Sequence, residues 1–366
     1  MKQYIWTCSA YPNFTYNNEL ILSMLTNIKL KQGYLLGKMA NLGFINDDIT
    51  FLKILTEDIL KSSEIEGLKL DTEQVRSSIA KRLGLNFGGD VYIERNVDGI
   101  VDMMLDATQN YNKKITKKRL CGWQNSMFPN GYSGLTKIVT GKYRDDKNGV
   151  MQVVSGAIGH ETVHYEAPPA ELLNKEMSAL IDYINNETKT DNVIKAGIVH
   201  LWFVIIHPFE DGNGRIARAL TDMMLARSEN SPKRFYSMSS QIKQERKSYY
   251  KMLEITQKGS VDITEWLKWF LTNLEISIDN SDSLLNNVFE KSNFWKVNRN
   301  VIFNERQKKI LDKLFDDFEG NLTTTKWAKI CGCSQDTATR DIQDLINKNI
   351  LEKIGQAKST HYVIKE

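Results

Sequence analysis

The stretch "HPFEDGNGR", residues 207–215, directly follows the run "VIKAGIVHLWFVII", residues 193–206. The run carries apolar side chains nearly all the way round a helix, which marks a helix buried on every side. The nine residues after it are too polar and turn-prone to be core. A second helical pattern, "RIARALTDMMLA", then begins at Arg215. Two helices joined by a short polar turn predict the centre of a helical bundle, with the turn at its functional edge. His200 lies within the apolar run and reads as a hydrogen-bonded core histidine. His207 differs because Pro208 follows it. A residue before proline is driven out of the helical region, so His207 is expected at the helix end, exposed to whatever faces it.

The turn has a chemistry of its own. Gly212 and Gly214 let the backbone approach a ligand closely, and the N-terminus of the next helix aims free N–H groups and a positive dipole end at the same place. Arg215 and Arg218 are three apart and share a helix face directed there. Amides, a dipole and two guanidiniums converging on one spot describe a polyphosphate site. Asp211 beside phosphate is then a paradox, resolved if it holds Mg²⁺, which takes oxygen ligands and bridges phosphates. His207, neutral near pH 7, is placed to take a proton from an incoming hydroxyl. The combination predicts phosphoryl or nucleotidyl transfer.

At this point the residues carry a resemblance. "HPFEDGNGRIAR", residues 207–218, resembles at every defining position the H-x-F-x-D/E-G-N-G-R-x-x-R motif of Fic-domain adenylyltransferases, and the likeness covers roughly residues 91–275. It implies that His207 is the general base that deprotonates a target Tyr, Thr or Ser hydroxyl, and that Phe209 anchors the loop. Asp211 would bind Mg²⁺, and Gly212, Asn213 and Gly214 would form the anion hole for the α- and β-phosphates. Arg215 would hold the β-phosphate and Arg218 the γ-phosphate of ATP. The hydroxyl would attack the α-phosphorus, releasing pyrophosphate and leaving an AMP-modified protein. "QVVSG", Gln152–Gly156, resembles the flap strand that clamps the nucleotide and aligns the target peptide by strand addition, which puts Val153, Val154, Ser155 and Gly156 at the nucleotide. "KQERKSYYKMLEITQKGS", residues 243–260, resembles the segment closing over the adenine. Tyr249 and Tyr250 would line the base, and Gln257 stands where relatives often have Asn.

Upstream, "SSEIEG", residues 62–67, resembles the inhibitory S/T-x-x-x-E-G/N motif of the same family, matched by Ser62, Glu66 and Gly67. The resemblance implies that Glu66 pairs with Arg218, takes that guanidinium from the γ-phosphate and leaves ATP in an unproductive pose. In some relatives the same glutamate orients a water that removes AMP from modified targets.

The rest of the chain bounds these readings. At 366 residues, 41% apolar and 25% charged, the composition is that of a globular protein of two or three domains. A formal net charge of +3 gives no global argument for nucleic acid or an anionic membrane. No apolar run is long enough to span a bilayer, and "MKQYIWTCSAYPNF" has no signal-peptide core, so a cytoplasmic location is expected. Cys8, Cys121, Cys331 and Cys333 are too scattered for a disulfide framework, and zinc at Cys331/Cys333 lacks further ligands.

The fold expected is mainly α: a Fic-type helical bundle with a short β-hairpin flap. Residues 1–90 form an N-terminal helical region carrying the inhibitory motif, with helices over 17–41 and 47–66 and a capping-box variant, "DTEQ", at 71–74. The catalytic domain spans 91–275, a linker helix 276–300, and a winged helix-turn-helix 301–366. The partners expected are ATP, a target protein hydroxyl and a second copy of the chain in a homodimer. The alternatives are a DNA-binding regulator acting through residues 301–366, or a de-AMPylating, UMP-, phosphocholine- or phosphotransferring enzyme on the same fold. Eleven Lys/Arg against ten Asp/Glu in 301–366 is a weak basis for phosphate-driven DNA binding.

Overall fold

The computed structural model describes residues 4–40, 44–85, 91–156, 160–315, 318, 320–356 and 359–365. The helices in chain order begin with α1 (Asn18–Ala40), α2 (Phe44–Ile65), α3 (Thr72–Leu83), α4 (Arg95–Gln109) and α5 (Lys117–Met127). Two short antiparallel hairpins follow, β1 (Tyr132–Ser133) with β2 (Thr136–Lys137), and β3 (Gln152–Ser155) with β4 (Thr162–Glu166). Then come α6 (Leu173–Asn186), α7 (Asn192–Ile206), α8 (Asn213–Glu229), α9 (Met238–Gln244), α10 (Arg246–Gln257) and α11 (Thr264–Val297). The chain ends with α12 (Glu305–Phe315), α13 (Thr324–Cys331), α14 (Gln335–Asn347) and a hairpin of β5 (Leu351–Ile354) and β6 (His361–Ile364). The fold is mainly α, as expected. Among the described residues no helix is long and apolar enough to cross a membrane.

The α7–α8 pair is the centre of the first unit. Asp191 caps α7 by accepting the Val193 N–H, and every residue from Val193 to Ile206 is buried. Lys195 is tolerated there because its ammonium donates to the carbonyls of Ile184 and Glu187 at the end of α6. Burial lowers its pKa to about 8. His200 is a satisfied core residue: Thr221 donates its hydroxyl to Ala217, so it accepts from Nδ1, while Tyr249 donates to Nε2. Burial holds this imidazole at about 3, permanently neutral.

The N-terminal arm is woven into this unit and does not form a region apart. The Trp6 indole donates to Glu166 at the end of β4, Phe14 packs edge-on against Trp202 of α7, and Thr15 bridges to Val261 and Ile263. Residues Met1–Ser281 therefore cluster as one compact unit and Asp282–Glu366 as another. The division expected at 275/276 falls inside α11, which is continuous through it. At the "DTEQ" start, Asp71 accepts the Gln74 N–H, but Gln74 turns outward to accept from Glu94 instead of closing a capping box. The β3–β4 flap is a hairpin with a bulge between Val153 and Val154, and residues 157–159 of the expected flap lie outside the described residues. The β1–β2 hairpin, with Gly134 at φ 56°, was not anticipated.

In the second unit α12, α13 and α14 pack Ile310, Leu311, Trp327, Ile342 and Leu345 into a small core that the β5 residue Leu351 completes. Thr323 caps α13 and Ser334 caps α14, and Gly332 turns the chain between them at φ 62°. Arg340 is exposed on α14, and Cys331 and Cys333 are free thiols.

Gly99 sets how closely α4 and α5 approach: a Cβ there would lie 1.7 Å from the Ser126 carbonyl oxygen. Gly99→Ala must push α5 away and is expected to destabilise the protein by about 1–3 kcal/mol. Gly122→Ala on the facing helix meets nothing within 4 Å and is expected to be neutral or mildly stabilising. Denaturant unfolding of both variants checks the contrast, and equal midpoints would contradict it.

Candidate active site

The site is assembled on the turn between α7 and α8. Pro208 closes the right-handed region to His207, and the residue caps α7 in a left-handed conformation, φ 49° and ψ 58°. Among the described residues the other non-glycine positions with positive φ are Asn230 and Asn349. Asparagine tolerates that region; for histidine it costs about 1–2 kcal/mol and persists only if the surroundings enforce it. Arg144 supplies the restraint, donating from Nε to the His207 carbonyl at 2.9 Å and from its backbone N–H to Pro208 at 2.9 Å.

His207 is half-buried rather than exposed. Its Nδ1 faces the Val204 carbonyl at 3.4 Å. A carbonyl only accepts, so Nδ1 carries the proton and the Nε2 lone pair is open. Burial lowers the imidazole from 6.5 to about 4, with the Arg144 charge adding to the effect and Val204, Glu66 and Asp211 opposing it.

Phe209 is fully buried and anchors the turn. The side chain of Asn213 is engaged within the turn. Its Oδ1 accepts the Phe209 N–H at 3.0 Å and its Nδ2 donates to the Phe209 carbonyl at 2.7 Å. Asn213 can offer an anion only its backbone N–H. Glu210 accepts the Val139 N–H and tethers the turn to the segment after β2. Asp211 accepts from the Ser133 hydroxyl and lies 3.5 Å from Arg215. Arg215 is buried over the Phe128 ring, at 5.0 Å, with its Nε unpaired. Gly212 caps α8 at φ 91° with no side-chain cap, so the first amides of α8 face outward without intrahelical partners.

The end of α2 lies over this turn. Leu68 donates to the Ser63 carbonyl and Gly67, at φ 83°, donates to Glu64. This is the Schellman ending, in which the left-handed position suits glycine, and it puts Glu66 at the helix terminus. Arg218, almost wholly buried, donates from Nε to the Ser62 hydroxyl at 2.8 Å, from NH2 to the Ser62 carbonyl at 2.9 Å, and from NH2 to Glu66 at 2.8 Å. The carboxylate lies so close on the first turn of α8 that a Cβ on Gly214 would be 2.0 Å from Glu66 Oε1. The open carbonyls at the end of α2 are taken up by the next wall: Lys243 donates to Glu64, and Arg246 and Tyr250 donate to Ile65.

A cavity of about 640 Å³ opens beside this contact. Of the residues singled out from sequence, Glu66, Val153, Val154, Ser155, His207, Gly214, Tyr249, Tyr250 and Gln257 line it. Arg215, Arg218, Asp211, Gly212, Asn213, Ser62 and Gly67 do not line it, and Arg218 reaches it only through its bond to Glu66. Gly156 does not line it either; at φ 111° its Cβ would strike the His160 carbonyl, so glycine serves the flap turn. Tyr249 offers its ring face only, since its hydroxyl is held by His200. Sequence reading missed Arg144, Ser133 and a link that joins flap to wall, His164. Its Nδ1 lies 3.0 Å from Glu254 on α10 and its Nε2 2.6 Å from Ser155 on β3. None has a local motif that marks it.

Since His207 titrates near 4 in the fold and near 6.5 when unfolded, the folded chain binds fewer protons between those values. Its contribution to stability is complete above about pH 6.5 and is lost as the pH falls towards 4. An NMR titration, with His207→Ala assigning the resonance, is expected to find the imidazole neutral at pH 6; a midpoint at 6.5 would contradict the burial argument.

Comparison with known proteins places this geometry. The Fic/DOC family profile matches residues 114–225, and a domain family of unknown function, DUF4172, matches residues 4–85. The chain is 29% identical over 126 residues to "Protein adenylyltransferase fic-1" of Caenorhabditis elegans, covering 32% of this chain and 23% of that protein. It is 25% identical over 218 residues to "Probable protein adenylyltransferase aq_aa38" of Aquifex aeolicus (strain VF5), covering 59% of this chain and 60% of that one. Each match thus spans less than two thirds of the relative. A crystal structure of a Fic family protein from Desulfovibrio desulfuricans G20 superposes with a TM-score of 0.54 at 19% identity, over 97% of this chain and 98% of that one, a likeness of fold. The match over residues 114–225, the motif at 207–218 and the shared fold identify this chain as one that carries a Fic/DOC-family domain.

Proposed function

We propose that the protein is an adenylyltransferase that moves AMP from ATP to a Tyr, Thr or Ser hydroxyl of a target protein, and that Glu66 holds it inactive. The observation that carries the reading is the convergence at one cavity of an imidazole with an open Nε2 and the uncapped first turn of α8, with a carboxylate lying on that turn. A phosphate-binding surface covered by the chain's own anion is a site in its resting form.

In this reading the amides of Asn213 and Gly214 donate to phosphate oxygens, that of Gly212 joins them on leaving the Asp211 carboxylate it now bonds, and Arg215 and Arg218 neutralise the β- and γ-phosphates. His207 Nε2 takes the proton of the incoming hydroxyl as its oxygen attacks the α-phosphorus, and the bond to the pyrophosphate oxygen breaks. The free edge of β3 aligns the target segment by strand addition. The rings of Tyr249 and Tyr250, with Gln257, form the wall against which the base stacks. Among the described residues no three His, Cys, Asp or Glu side chains cluster as a metal site. One carboxylate, Asp211, fits Mg²⁺, an ion that takes its remaining ligands from phosphates and water. When bound it would supply charge neutralisation across the phosphates.

The second unit reads as a winged helix, and its near-balanced charge favours docking to protein over DNA. The free cysteines suit a reducing, cytoplasmic setting.

Glu66→Gly is expected to raise self-modification from labelled ATP and Mg²⁺ at least tenfold, and His207→Ala in the same background to abolish it. Mass spectrometry should find the increment of adenylate rather than phosphate or uridylate. A Glu66→Gly protein no more active than the parent would remove the inhibitory assignment, and a phosphate increment would remove the adenylyl one.

A further inference from the structure

We infer that Arg144 is the positioning residue of the catalytic base, joining the His207 turn to the foot of the flap through one buried guanidinium. The inference rests on His207 acting as that base. Each donor group of the side chain has a separate partner. Nε holds the His207 carbonyl at 2.9 Å, NH2 holds the Pro168 carbonyl at 2.5 Å, and NH1 pairs with Asp146 at 2.5 Å. The backbone of Arg144 adds the bond to Pro208. The other oxygen of Asp146 accepts the Ala170 N–H, so the fork is braced from behind. Pro168 lies two residues past the end of β4. The hairpin whose β3 edge is proposed to align the target, held through the end of its partner strand β4, and the imidazole proposed to deprotonate that target are therefore registered on the same rigid group.

The planarity of the guanidinium matters here. Three carbonyl and carboxylate partners lie around it in different directions, and a lysine ammonium cannot reach all three at once. The restraint acts on a backbone that has no intrinsic reason to adopt its conformation, since His207 is left-handed without being Asn or Gly. Without Arg144 the carbonyl of His207 is free to turn, and Nε2 turns with it. A displacement of about 1 Å at the base is enough to lower the rate about 100-fold without touching the nucleotide site.

Arg144 also acts through its charge. The charged groups facing the imidazole are Arg144 from the segment before the flap, Glu66 from the end of α2 and Asp211 from the turn. Arg144 disfavours the imidazolium, while the two carboxylates favour it. Removing the arginine raises the imidazole towards its ordinary value, and the acid limb of the rate moves to higher pH. Lysine keeps the charge and loses the fork, so the two variants separate geometry from electrostatics.

The test uses the full-length chain in the Glu66→Gly background. Arg144→Lys is expected to lower kcat about 10- to 100-fold with the KM for ATP changed less than about threefold and the acid limb unmoved. Arg144→Ala is expected to lower kcat at least as far and to shift both the acid limb and the NMR midpoint of His207 upward. Parent-like kcat in both variants, or a loss confined to KM with an unmoved His207 titration, overturns the inference. If Arg144→Ala does not fold, Arg144→Lys alone decides the geometric claim. A Glu66→Gly parent that transfers nothing would sink the functional reading, while the His207 titration would still test what Arg144 does.

Discussion

The turn from His207 to Gly212 runs between two helices that have no solvent-facing side, so its backbone groups need partners within the protein. The His207 N–H bonds back to Phe203, and its carbonyl and that of Pro208 are taken by Arg144. Both backbone groups of Phe209 are taken by the Asn213 side chain, and the Gly212 carbonyl by Ile216. Satisfying the turn from behind leaves the first amides of α8 directed forward, where no side chain caps them. The proposed anion site is the part of the α7–α8 connection that these bonds leave open.

The same logic explains why the end of α2 belongs to the site. Its last carbonyls are open by the nature of a helix terminus. Lys243, Arg246 and Tyr250 close them, and these residues stand in the α9–α10 wall that also lines the cavity. The Schellman glycine at 67 turns the chain away immediately after Glu66, so the side chain projects from a fixed point instead of from a frayed end. Arg218 is buried, which opposes its charge, and the Glu66 carboxylate, together with Tyr249 and Tyr250, more than offsets that opposition.

What was legible in the sequence follows from distance along the chain. His207, Phe209, Asp211, both glycines and both arginines fall within twelve residues, 207–218, and helix geometry alone converts that spacing into a common direction. Ser62, Glu66 and Gly67 were readable because a helix ending links them. Arg144, Ser133 and His164 act on partners 63, 78 and 90 residues away, and no periodicity encodes such contacts. Asn213 was legible only in part. Its place in the motif suggests an anion-hole position, which its backbone N–H leaves open, and only the hydrogen bonds to Phe209 reveal the further task of its side chain, holding the turn. The boundary near residue 90 agrees with the end of the DUF4172 match at residue 85, but the packing across it was not legible: Trp6, Phe14 and Thr15 make their contacts with β4, α7 and the segment just before α11. The continuity of α11 through 275/276 was hidden because a long amphipathic pattern does not announce where one packed unit hands over to the next.

Ser62 gives the contact a division of labour that Glu66 alone would lack. Hydrogen bonds to a charged group contribute about 1.5–3 kcal/mol each, and two of the bonds donated by Arg218 go to Ser62, one to its hydroxyl oxygen and one to its carbonyl. The Glu66 carboxylate supplies the third and is the only one of these partners seated on the first turn of α8. Rotation of one side chain therefore clears the space above Gly214 while the guanidinium stays oriented by Ser62, and its unpaired NH1 remains available. In the proposed autoinhibited reading, Arg218 therefore does not have to be reorganised when the carboxylate leaves, and opening the site would need a change in the Glu66 rotamer and no unfolding of α2.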